Sequence, residues 1–147
     1  MRSCFCLLVV FSFVATMASG SDWQTDYEQA LATAKAAEKC VLLEFTGSDW
    51  CGPCIQMKKV VFSKATFLNY AKENLVLVEV DYPRVKALSE KIRKQNERLM
   101  HQYSIDGFPT VILLNPDGKI LGQLDGYSGE RPTDIIAWME KLRGKSS

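Results

Sequence analysis

The chain has 147 residues, 47% of them hydrophobic and 24% charged, with 18 basic against 17 acidic side chains. That length suits one domain with a real core, and the ordinary composition excludes low-complexity and disordered classes. A formal net charge of +1 excludes the global polycation that would advertise nucleic acid.

The first twenty residues differ from the rest. Arg2 precedes an apolar run from about Phe5 to Val14, and small residues follow. This is the layout of a secretory signal peptide, with cleavage expected after Ala18 or Gly20. The run falls short of the roughly 20 residues a membrane span needs, although an uncleaved anchor is the alternative. The expected organisation is therefore a signal peptide at 1–20 and one folded domain at 21–147. Cys4 and Cys6 leave with the signal, and Cys40, Cys51 and Cys54 remain.

From Ser21 to Lys39 an alanine-rich stretch places Trp23, Tyr27, Ala30, Leu31 and Ala34 at helical spacing, with Ser21 or Asp22 as the expected cap. "CVLLEFT" (Cys40 to Thr46) is a near-continuous apolar run, as suits a strand covered on both faces. Helical spacing resumes at Cys51, and a further helix is expected from Ser63 as its cap. "LVLVEVD" (Leu75 to Asp81) reads as a second buried strand. Val85, Leu88, Ile92, Leu99 and Tyr103 then fall on one helical face. Between Arg84 and Arg98 six basic residues oppose Glu90 and Glu97, which reads as a solvated helix face or, alternatively, as steering of an acidic partner. "TVILLN" from Thr110 and "KILGQLDG" from Lys119 flank the turn "NPDG" and predict an antiparallel pair. A C-terminal amphipathic helix is expected, capped by Thr133 and ended by Gly144. A helical crossover makes the first two strands parallel, so the whole is an α/β four-stranded mixed sheet with helices on both faces.

The chemistry centres on "DWCGPC", residues 49–54. A structural zinc site wants four Cys or His ligands. The mature chain offers only its three cysteines and His101, with Cys40 opening a buried strand, so neither metal nor cofactor is expected. A staple closing so short a loop removes little unfolded-state entropy. Redox chemistry fits better. Cys51 lies where a loop becomes a helix, so unpaired N–H groups favour its thiolate. Cys54 lies one turn along, within reach to resolve a mixed disulfide. Pro53 is harmless in the first turn, where its missing N–H has no partner. Cys40 reads as a small buried hydrophobe.

"FTGSDWCGPC", followed by "VFS", "VDYP", "GFPT" and "NPDGK", resembles the thioredoxin family and in particular its exported bacterial thioredoxin-like branch. The likeness runs from about Trp23 to Leu142 and implies the thioredoxin fold, here with an extra helical segment before the strand that starts at Thr110. It implies Cys51 as attacking and Cys54 as resolving cysteine, within the Gly52–Pro53 framework. It also implies Pro109 as a cis-proline that presents the Phe108 backbone to substrate, and Trp50 packed beside the pair. Thioredoxins carry a buried Asp six residues before the first cysteine. Here Glu44 lies seven before, either in that proton-transfer role or as a strand-end acid open to water. Leu77 stands where the family has a lysine, and the family's initial strand has no counterpart.

The reading is an exported thiol–disulfide oxidoreductase, a reductase by likeness to thioredoxin, monomeric and periplasmic or secreted. Its expected partners are disulfide-containing proteins and a membrane or exported electron donor. The alternatives are a peptide-binding module without turnover, and a disulfide oxidase or isomerase.

Overall fold

The computed structural model describes residues 22–145; the expected signal peptide at 1–20, its expected cleavage sites and Ser21 as the expected helix cap lie outside the described residues. The elements run α1 (Tyr27–Ala37), β1 (Cys40–Thr46), α2 (Gly52–Met57), a π-helical turn (Lys58–Phe62), α3 (Ala65–Asn74), β2 (Leu75–Asp81), α4 (Glu90–Gln102), β3 (Thr110–Leu114), β4 (Ile120–Asp125) and α5 (Pro132–Arg143). The sheet order is β2–β1–β3–β4. β1 and β2 are parallel, with Glu44 opposite Glu79 and Thr46 opposite Asp81, whereas β3 is antiparallel to both β1 and β4. This is the expected four-stranded mixed sheet in the thioredoxin fold.

Strand alternation sorts the core into two layers. Val41, Leu43 and Phe45 of β1 join Val76, Val78 and Val80 of β2 against Ala30 and Ala34 of α1 and Leu99 of α4. Leu42, Leu75, Leu77, Val111 and Leu113 face the other way, onto Met57, Val61, Phe67, Ile135 and Met139. All seven residues of β1 are buried, which accounts for its unbroken apolar run. Glu44 shares its face with Leu42, so its carboxylate sits in the layer beneath α2.

Several helix starts differ from expectation. α1 begins at Tyr27 because Asp26 accepts the Gln29 N–H at 3.1 Å, and the preceding Gln24 instead bridges to Val78 at the edge of β2. α3 follows Lys64 rather than Ser63. α5 starts at Pro132, and the Arg131 N–H donates to Asp134 at 2.8 Å where Thr133 was the expected cap. The largest difference lies in the basic segment. Ser89 caps α4, so residues 82–88 form a loop and Val85 is 88% exposed instead of lying on an apolar helix face.

Candidate active site

β1 delivers the chain into the loop 47–50, which turns into α2 at Cys51. Ser48 holds this loop to the end of β2, its N–H and hydroxyl both donating to the Asp81 carboxylate at 2.9 and 2.6 Å. The Tyr82 N–H donates back to the Thr46 carbonyl at 2.8 Å. Cys51 is the N-cap of α2 in extended conformation, and its sulfur accepts the Cys54 N–H at 3.3 Å. Gly52 and Pro53 fill the exposed first turn.

Cys51 and Cys54 form a disulfide with their Cα atoms 5.3 Å apart. Cys51 retains 5% exposure against 1% for Cys54. Cys40, at the far end of β1, is buried and free, and burial pushes its thiol pKa up. His101 lies on exposed α4 surface, so neither residue joins the pair.

The loop before β3 completes the site. The Phe108–Pro109 peptide is cis, and the Pro109 carbonyl accepts the Gly126 N–H at 2.8 Å. The Phe108 ring meets Trp50 edge-on at 5.9 Å and lies 5.1 Å from Tyr82. Trp50 is 36% exposed, a surface aromatic, with its indole N–H donating to the Tyr82 carbonyl at 2.8 Å. The ring contact thus joins Trp50, the neighbour of Cys51, to Phe108, the neighbour of Pro109, from two distant stretches of chain.

Glu44 is fully buried, not open to water, and among the described residues neither carboxylate oxygen has a hydrogen-bond partner. Burial is the chief cause of its pKa rising from an ordinary 4.5 to about 8; Lys58 opposes that rise, and Glu79 and Asp81 add to it. Lys58, one turn past Cys54, forms an ion pair with Glu79. A cleft lined by Thr46, Ser48, Cys54, Ile55, Lys58, Lys59 and Ser63 opens beside this group.

Lys58, Glu79 and Asp49 were missed as site residues. One signal was present for Glu79: it occupies the same fifth position in "LVLVEVD" as Glu44 does in "CVLLEFT", so a parallel register brings two acids together. Asp49 carried no local signal, because its partners lie 35 to 37 residues downstream.

A family model described as a thioredoxin-like domain matches residues 27–143. Disulfide bond reductase DsbH of Chlamydia pneumoniae is 33% identical over 126 residues, covering 86% of this chain and 73% of that protein. Thioredoxin-related protein DsbJ of the same species is 33% identical over 113 residues; the match covers 77% of this chain but only 32% of DsbJ. A solved structure of DsbH oxidoreductase superposes with a TM-score of 0.77 at 29% identity, covering 95% of this chain and 94% of its own.

Proposed function

The chain belongs to the thioredoxin-like family and is a thiol–disulfide oxidoreductase; we propose that it works as an exported disulfide reductase. The observation that carries this reading is the Cys51–Cys54 disulfide at the start of α2, with the slightly more accessible sulfur on Cys51. The reducing direction is supported by the likeness to a protein named as a disulfide bond reductase. Export is supported by the pattern of residues 1–20, and a periplasmic setting fits it.

In the reduced protein, the Cys51 thiolate attacks one sulfur of a substrate disulfide. A mixed disulfide forms and the other substrate sulfur leaves as a thiolate. The Cys54 thiolate then attacks the Cys51 sulfur, releasing the second substrate thiolate and leaving the Cys51–Cys54 disulfide seen here. Two electrons pass to the substrate, so a dithiol donor must re-reduce the pair. For an exported protein that donor is itself exported or lies in the membrane. Pro109 and the Phe108 backbone flank the substrate, Trp50 shields one side of the pair, and Gly52–Pro53 sets the first turn. Glu44 acts in its ionised form: the fraction of the buried carboxyl that has lost its proton, with a pKa lifted to about 8, accepts the Cys54 proton as resolution begins, leaving the Cys54 thiolate and a neutral Glu44.

The deciding experiment equilibrates the protein against glutathione or dithiothreitol buffers. A potential near thioredoxin's, about −270 mV, supports the reductase, whereas a value near −120 mV, as in strong oxidants of this fold, makes it a disulfide donor.

A further inference from the structure

We propose that the loop at residues 82–86 is a docking lip that binds an acidic side chain of an extended substrate peptide, next to the reacting cysteine. The inference rests on the redox reading above for its substrate class.

The lip is built and held. The Asp49 carboxylate accepts three consecutive backbone N–H groups, from Arg84 at 2.9 Å, Val85 at 2.7 Å and Lys86 at 3.1 Å. A carboxylate so engaged is a strong clamp, and it ties the loop to the residue two before Cys51. Trp50 adds a second tie through the Tyr82 carbonyl. The Arg84 guanidinium lies over the Trp50 ring, 4.1 Å from its centre, so its charge is stationed above the residue adjacent to Cys51.

Charge identifies the occupant. Four of the six cations between Arg84 and Arg98 sit on α4, and each is matched: Lys91 to Asp26, Arg93 to Glu97, Lys94 to Glu90 and Arg98 to Glu28. That part of the basic segment is a neutralised, solvated helix face. Arg84 and Lys86 differ. Both are exposed, and among the described residues neither has an acidic partner within salt-bridge distance. Asp49, the nearest acid in the loop contacts, is occupied by the backbone amides. Two uncompensated cations therefore border the site, with Val85 presented between them at 88% exposure. An acidic side chain beside the substrate cysteine satisfies the cations, while an apolar neighbour covers Val85.

The test uses two disulfide-linked peptides of the same length, with glutamate or lysine flanking the cysteine, reacted with the reduced protein at low salt. The glutamate peptide is expected to react about tenfold faster, the scale of two exposed ion pairs. That ratio should shrink in high salt, since such pairs are screened. In the double variant Arg84→Glu, Lys86→Glu the ratio should fall to one or below. Equal rates in the wild type, or a preference that survives charge reversal, overturn the proposal. The neutral disulfide of 2-mercaptoethanol separates the two readings. If the wild type leaves it unreduced, the redox reading fails. Titration calorimetry with the same two peptides carrying serine for cysteine then still decides the lip.

Discussion

Glu44 and Glu79 lie directly opposite one another on the parallel strands β1 and β2, yet only Glu79 holds the cation, Lys58. The two acids are one register pair in different states. Glu79 is paired with Lys58, whereas Glu44, dry and without a hydrogen bond among the described residues, keeps its proton until about pH 8.

That difference predicts a pH profile for stability. Glu44 has an ordinary pKa of 4.5 and a folded value of about 8, so the folded state holds the proton more tightly. Its contribution is fully present below about pH 4.5 and is lost as pH rises through about 8. Each unit is worth about 1.4 kcal/mol, so the loss across that window is several kcal/mol. Glu44→Gln mimics the protonated acid and should flatten the profile. Urea midpoints should then nearly coincide with wild type at pH 5 and exceed it at pH 9. A constant offset between the two proteins would show that Glu44 does not titrate in that window. The same variant should slow release of the mixed disulfide at neutral pH, if Glu44 takes the Cys54 proton.

Lys58 is expected to matter through both acids. Its side chain is 41% exposed and that of Glu79 is 12% exposed, intermediate between surface and buried pairs. Lys58→Met should cost about 1–2 kcal/mol and raise the Glu44 pKa further, since the Lys58 charge lowers it. A Lys58→Met, Glu79→Gln double variant should recover part of that cost, a coupling read by a double-mutant cycle. Strict additivity would mean that the pair contributes nothing.

Much of this was legible in the residues, and for identifiable reasons. The apolar runs of β1 and β2 announce strands buried on both faces, and "NPDG" forms its hairpin turn through the Asn115 side chain, which accepts the Asp117 and Lys119 N–H groups. Cys51 and Cys54 were legible because C-x-x-C at a helix start is local. What local pattern left open was set by distant contacts. The helical spacing of Val85 with Leu88 and Ile92 is real, but Asp49 draws the 84–86 amides out of a helix before Ser89 can start one. Whether Glu44 meets water was likewise undecidable from "CVLLEFT", since the answer depends on α2 closing over that face.

Asp49→Ala should release the 84–86 segment. With their acceptor gone, the Arg84, Val85 and Lys86 amides should lose protection against hydrogen exchange, while amides within β1 keep theirs. The three amides also hold the Asp49 pKa below the ordinary carboxylate value of 3.8. A depressed folded value means the clamp is present above the unfolded pKa and lost as pH falls through the folded one. Exchange protection at these three positions should therefore persist at mildly acidic pH and collapse only below the ordinary carboxylate range. Protection unchanged in Asp49→Ala would mean that the loop is held by other contacts.

Gly47 is the position where the smallest change should disturb the site most. A Cβ there would lie 2.4 to 2.7 Å from three atoms of the Trp50 indole, far inside contact distance, so the ring must move. Trp50 cannot shift alone, because its N–H holds the Tyr82 carbonyl, its edge meets Phe108 and its face carries Arg84. Gly47→Ala should therefore cost about 1–3 kcal/mol, the range for inserting a methyl into a filled space. It should also change the Trp50 emission, which a Trp50→Phe control would isolate from the other tryptophans. Because the indole links the Cys51 loop to Phe108 and to residues 82–84, substrate turnover should fall even where the disulfide potential is unchanged. An unaltered emission with full turnover would mean that the loop relaxes around the added methyl and that the close approach of the indole to Gly47 is not needed to position the site.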